Sequence, residues 1–246
     1  MDPRLLELNF TKCLGSLADL AMPRLCIVCG AALLPSERHV CLCCLSDLPQ
    51  TLFELRTRNP MADSLNAQVD QDGYEPYSYA SALFFYNADS QYANITRNLK
   101  YRRTFAQGRF FASMLGKRLA GADHFRNVDA VVPVPLHWTR KWKRGYNQAE
   151  IIAREVASAL GAPCLPGMLK RVRRTATQTR LSGRAKTENV AGAFRADVPG
   201  RQFHHILLVD DVYTTGSTLA ACHRALRAAL GPGVRISAAT LGFVGD

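Results

Sequence analysis

Ile206-Leu207-Leu208-Val209-Asp210-Asp211-Val212-Tyr213-Thr214-Thr215-Gly216-Ser217-Thr218 passes from four aliphatic residues through two carboxylates into a short turn crowded with hydroxyls around a glycine. The run that follows, to Leu230, keeps apolar residues at helical spacing, so the stretch predicts a buried strand, a loop and a helix in that order. A helix start leaves backbone N–H groups unpaired and carries the positive end of the macrodipole. A phosphate is held there without any lysine. Thr214, Thr215, Ser217 and Thr218 add hydroxyl donors, and Gly216 is expected to let the backbone approach a ligand. Asp210 and Asp211 stand at the carboxyl end of the strand, where open α/β sheets bind ligands, and two adjacent acids can accept hydrogen bonds from a ribose diol. A ribose 5-phosphate satisfies both halves.

The 246 residues are 48% apolar, enough for a packed core in one large domain or a domain with a small module. Net charge is +11, which points to phosphorylated ligands, polyanions or acidic surfaces as partners and leaves nucleic acid and small phosphates undistinguished. No apolar run reaches the length of a membrane span, and Asp2, Arg4, Glu7, Lys12 and Asp19 interrupt any signal core, so a cytoplasmic protein is expected. Eight cysteines in such a chain argue for thiols and metal binding over disulfides.

Four of those cysteines fall into two Cys-x-x-Cys knuckles, Cys26 with Cys29 and Cys41 with Cys44, separated by eleven residues. That pattern suits one tetrahedral zinc ion with no open position, a structural site that replaces a core too small to fold the segment alone. Cys43 sits inside the second knuckle and can stand in for Cys41 or Cys44. Cys13, Cys164 and Cys222 read as packing residues, as does Cys43 if it is not a ligand.

Around these two anchors the chain divides into an N-terminal amphipathic helix (1–22, with Leu6, Phe10, Leu14 and Leu17 on one face), a zinc-binding module (23–55), a turn-rich linker (56–80) and an α/β domain (81–246). In that domain, strands are predicted at Ser81–Tyr86, Asp129–Leu136 and Val234–Leu241, and helices at Tyr92–Tyr101, Ala106–Leu119 and Asn147–Leu160. Strands alternating with helices imply a parallel sheet covered on both faces. The basic run Lys100-Tyr101-Arg102-Arg103 reads equally as a solvated helix end or a ligand contact.

His137-Trp138-Thr139-Arg140-Lys141-Trp142-Lys143-Arg144 combines four cations with two tryptophans, a composition suited to single-stranded nucleic acid or to a base with pyrophosphate. Between Lys170 and Lys186 lie seven Lys or Arg, and no acid occurs from Val156 to Thr187. Arg174, Arg180 and Arg184 in that run are candidates for pyrophosphate or a nucleic-acid backbone, since a guanidinium fork matches phosphate oxygens.

VDDVYTTGST is similar to the phosphoribosyl pyrophosphate (PRPP) signature of the type I phosphoribosyltransferases. VPVPLHWTRKWKRGYNQAE (Val132–Glu150), the later RTxTQTxLSxRxxxxN (Arg174–Asn189) and the Cys knuckles in front resemble the competence protein F (ComF) branch. The resemblance implies a parallel-sheet phosphoribosyltransferase-like domain with an N-terminal four-cysteine zinc-ribbon-like module. It implies that Asp210 and Asp211 are the candidate catalytic pair on the ribose hydroxyls, and that the signature through Val212, Tyr213, Thr214, Thr215, Gly216, Ser217 and Thr218 holds the 5-phosphate. It places Pro135, Leu136 and His137 in the pyrophosphate loop and makes 170–186 a hood over PRPP. Mg²⁺ would come with PRPP, bridging its pyrophosphate and ribose. The functional expectation is PRPP binding in natural competence, DNA uptake or use of DNA as a nutrient, with single-stranded DNA and competence proteins as partners; the alternative is an active phosphoribosyltransferase of nucleotide salvage.

Overall fold

All four strands of the central sheet place apolar residues in both hydrophobic clusters, and the architecture follows from where those sides are buried. The computed structural model describes residues 23–70, 75–101, 105–136, 142, 145–172 and 192–245. Its main sheet is formed by β1 (Ala80–Phe85), β2 (Ala130–Pro133), β5 (His205–Tyr213) and β6 (Arg235–Phe243), in the order β1-β6-β5-β2 and parallel throughout. A two-stranded antiparallel ladder, β3 (Leu169–Arg171) with β4 (Phe194–Ala196), forms a second small sheet. These strands flank the basic segment read as a hood, most of which lies outside the described residues.

Along β5, Ile206 and Leu208 point into one hydrophobic cluster while Leu207 and Val209 point into the other. Each is fully buried, worth about 1.5–3 kcal/mol per side chain relative to exposure. One face is covered by α6 (Ser217–Leu230), by α2 (Pro60–Val69) and by the β3–β4 ladder. The other is covered by α3 (Ala93–Tyr101), α4 (Phe105–Ala120) and α5 (Gln148–Leu160). The helix after β2 therefore leaves to one face and the helix after β5 to the other. The gap between the carboxyl ends of these two neighbouring strands is the crevice where ligands bind in open α/β sheets.

β1, β6 and helices α3, α4 and α5 start and stop close to the predicted residues, with Asn147 capping α5 and Gly161 closing it in the left-handed region at φ 66°, whereas β5 runs on through the acid pair to Tyr213 and the short strands β3 and β4 are absent from the sequence reading. The stretch 56–80 departs from its reading as a linker. It contains α2, whose Met61, Ala62 and Leu65 are buried in the main core. Asn59-Pro60, inside the stretch read as turn-rich, is a helix start: the Asn59 side chain accepts from Ala62 N–H, and Pro60 occupies the first turn, where no N–H is needed. The Cys-bearing segment, which opens the described chain and holds the short helix α1 (Leu42–Ser46), is likewise not set apart. Cys26, Ile27, Val28, Val40 and Leu48 share a hydrophobic cluster with Phe84, Ile95 and Phe111. The predicted helix within 1–22 lies outside the described residues.

Candidate functional site

β5 carries Asp210 and Asp211 to the mouth of the crevice because Asp129, just ahead of β2, fixes the start of that strand. Its carboxylate accepts from the backbone N–H groups of His204 and of His205, the latter at 2.7 Å. On the far side of the pair the chain turns through Thr214–Gly216 into α6, and Thr215 and Ser217 share a hydroxyl hydrogen bond of 3.0 Å. Asp210 and the residues Val212–Leu219 line a small polar recess of about 40 Å³ at the helix start. Asp210 and the hydroxyl loop thus line one recess, with Asp211 next along the strand.

Gly216 also answers to contacts inside the protein. Its φ is 75°, and a Cβ there would lie 2.1 Å from the Tyr213 hydroxyl and 2.7 Å from Nε2 of Gln68. The space that Gly216 leaves is filled from within the protein. Tyr213 is buried and donates to Ser64 Oγ at 3.0 Å, and Gln68 donates to the Thr215 carbonyl at 2.9 Å. Ser64 and Gln68 both lie on α2, so this helix braces the loop from behind. Gly216→Ala is expected to cost on the order of 3 kcal/mol, from the left-handed φ together with the clash. Gly161 has a similar φ with open space around it, so Gly161→Ala should cost only about 1 kcal/mol. Chemical denaturation of both variants checks the difference, and equal losses would remove Tyr213 and Gln68 as the cause.

The acid pair already has a cation. Lys100, at the end of α3, sits with Nζ 2.8 Å from Asp211 Oδ2, the side chains being 27% and 13% exposed. Burial opposes the charge on Lys100, but Asp211 and then Asp210 outweigh it and hold the ammonium above its ordinary range. Asp210 accepts from the Asp211 N–H at 2.8 Å. Burial, and next the like charge of Asp211, push the Asp210 carboxyl up to about 7. Of the two readings of the Lys100 run, a solvated helix end does not fit Lys100 itself.

Pro135 and Leu136 are half-buried just past β2, where the Val134 N–H donates to Val209 O at 2.9 Å and Asn147 Nδ2 donates to Val134 O at 3.0 Å. These bonds tie the loop after β2 both to β5 and to the start of α5. His137, Trp138, Arg140, Lys143, Arg144, Arg174, Arg180 and Arg184 lie outside the described residues. Trp142 is described and is 88% exposed. A wider hollow of about 560 Å³ beside α2 is lined by Asp63, Asp70 and Glu75 with Arg58 as its one lining cation, a poor setting for a polyanion.

At the other end of the molecule the sulfurs of Cys26, Cys29, Cys41 and Cys44 all lie within 4.8 Å of one another. That donor set fits a tetrahedral thiolate-bound metal such as zinc. Gly30 turns under the first knuckle at φ 76°, and its N–H donates to Cys26 O at 2.9 Å. The Cys41 N–H points at Cys26 Sγ (3.4 Å) and the Cys44 N–H at Cys41 Sγ (3.4 Å). Burial resists ionisation of Cys26, but backbone N–H groups, those of Cys29 and Cys41 first, prevail and bring its thiol down to about 7. Burial pushes the Cys44 thiol up, and the neighbouring sulfurs add to this, so the four cannot all become thiolates without a cation among them. Cys43 is exposed and outside the cluster, and Glu37, absent from the sequence reading, braces the loop by accepting from Leu34 and Leu42 N–H at 2.7 Å each.

Residues 144–241 match the family model for the phosphoribosyl transferase domain. The chain is 35% identical over 138 residues to Competence protein F of Haemophilus influenzae, across 54% of this chain and 60% of that protein. It is 44% identical over 92 residues to DNA utilization protein YhgH of Salmonella typhi, across 37% of this chain and 40% of the relative. To Competence protein ComFC of Bacillus subtilis it is 24% identical over 215 residues, across 82% and 78% of the two chains. The chain therefore spans about three fifths of the first relative's length and two fifths of the second's. With the acid pair, the hydroxyl loop and the parallel sheet in place, the chain carries a phosphoribosyl transferase-like domain and is similar to proteins named Competence protein F and ComFC.

Proposed function

We propose that this chain binds PRPP or a closely related phosphorylated ribose and serves natural competence or the use of DNA as a nutrient. The observation that carries the binding is the meeting, at the carboxyl end of β5, of a hydroxyl-rich helix start with a carboxylate pair. The 5-phosphate sits on the N–H groups and hydroxyls of Thr214–Thr218, and Asp210 and Asp211 take the ribose hydroxyls. Mg²⁺ would enter with the ligand and supply positive charge to its pyrophosphate. The names of the relatives, a competence protein and a DNA utilization protein, favour this role over nucleotide salvage. The test is thermal denaturation with PRPP and Mg²⁺: a ligand at a hundred times its Kd should add about 2.7 kcal/mol of stability. An unmoved melting temperature at millimolar PRPP would end this reading.

Single-stranded DNA is the second ligand proposed, on the exposed Trp142 and the excess of positive charge. Affinity for a fluorescent single-stranded oligonucleotide should fall at least tenfold, in order of magnitude, between about 50 and 200 mM salt, and Trp142→Ala should weaken it by about 1–3 kcal/mol through lost stacking. Flat affinity across that salt range would remove DNA as a ligand. Proteins of the same uptake process are the partners this reading implies. No described helix is long and apolar enough to cross a membrane.

A further inference from the structure

Lys100 stands well outside the 144–241 match and comes to the acid pair from the opposite face of the sheet to α6. A lysine left in water gains little from one carboxylate, because solvent screens the pair and the long side chain loses entropy. Here both partners are largely withdrawn from solvent, and the contact joins α3 to β5 across 111 residues. Two adjacent acids at a ligand crevice are of use to a diol only while they remain acceptors, and their mutual repulsion works against that.

We propose that Lys100 is the positioning residue of the acid pair, fixing Asp211 and setting a positive charge beside both carboxyls so that they accept the hydroxyls of a phosphorylated ribose. The inference rests on the phosphorylated-ribose reading of the loop and adds to it a residue from a different part of the chain. Among the described residues, the groups that face the pair are Lys100 from α3, itself beside Tyr86, Arg171 from β3 and the Cys222 thiol from α6. Arg171 also favours the charged form of Asp210, yet the Asp210 carboxyl stays raised, to about 7, with both cations present. Removing Lys100 removes a cation that lowers it, so the carboxyl moves higher still.

The sign follows from linkage. Above the titration of Asp210 its carboxylate accepts and the diol is held; below it a proton occupies that acceptor and the diol is lost. Lys100→Met moves that boundary upward. The experiment measures, by calorimetric titration without metal, the affinity for ribose 5-phosphate divided by that for inorganic phosphate, at a series of pH values. Both ligands ionise in the same range, so the ratio isolates the sugar hydroxyls, and the phosphate value reports whether the loop is intact.

In Lys100→Met the ratio should fall about fivefold at pH 7 and recover at a pH about one higher or more, because a tenfold change in proton affinity displaces a titration by about one on the pH scale. Lys100→Arg should stay within about threefold of the parent, since it restores the charge. An unchanged ratio in the Met variant would overturn the proposal. So would a fall of equal size at every pH, or an Arg variant no better than Met. If the unaltered protein binds neither inorganic phosphate nor ribose 5-phosphate, the loop reading itself fails, and the inference with it.

Discussion

Changing Asp210 and Asp211 together to Asn abolishes the thermal stabilisation by PRPP with Mg²⁺. In the unaltered protein, saturation to a hundred times Kd is worth about 2.7 kcal/mol. For a domain of this size that is a rise in melting temperature of about 5–10 °C. The double variant should move by less than about 1 °C under the same conditions. Asn keeps the size of each side chain, and the bond from Asp211 N–H to the side chain at 210 survives through the amide oxygen. The negative charge is lost. Because the backbone of Thr214–Thr218 is untouched, weak protection by inorganic phosphate should persist, which separates loss of the diol contact from collapse of the loop. The ligand-free variant should itself melt lower, because Lys100 keeps its place beside a neutral amide. A variant that PRPP stabilises as much as the parent would show that the sugar is gripped elsewhere.

The second large effect concerns the metal. The purified protein should carry about one zinc per chain and Cys26→Ser clearly less, because three sulfurs are left where a closed structural site uses four. Apparent binding free energies of structural zinc reach about 10–16 kcal/mol in small peptides. A whole domain stands only about 5–15 kcal/mol above its unfolded state. Even a fraction of the zinc term is therefore decisive. Since Cys26, Val28 and Val40 belong to the same hydrophobic cluster as Phe84 and Phe111, release of the ion should disturb that side of the sheet along with the knuckles. Chelation with a strong thiol-competitive ligand is expected to lower the melting temperature by about 10 °C or more, if only about 4 kcal/mol is lost. Zinc content equal in parent and Cys26→Ser would remove the four-sulfur assignment.

Much of the fold can be read from sequence because its signals are local. The run from Ile206 to Val209 is apolar on every residue, and only a strand buried on both faces uses such a run at that length. The hydroxyls and glycine that follow describe their own turn. The knuckles are equally plain, since two thiols at x₂ spacing already form half a tetrahedron. What stays hidden depends on contacts between distant residues. Gln68 reaches Thr215 across 147 residues, and Lys100 reaches Asp211 across 111. Nothing in the neighbourhood of either residue marks its partner.

Helix α2 is an intermediate case. Its four polar residues equal in number the apolar ones that face the core, and the surrounding Asn, Asp, Gly and Pro suggest turns. Asn59-Pro60 is still a usable signal, because an N-cap followed by proline is how many helices begin. Sequence alone assigns Gly216 to the ligand, whereas the structure gives its missing Cβ to Tyr213 and Gln68.

The bracing of the Thr215 carbonyl by Gln68 bears on how this protein can be dissected. A shortened version opening at residue 81 would keep every residue of the phosphoribosyl transferase match and the entire acidic signature. It would still leave the Tyr213 hydroxyl and the back of the turn facing water, and would strip Met61 and Leu65 out of the interior. Such a fragment is no autonomous minimal binder, and the shortest piece that can be expected to work has to begin ahead of Asn59.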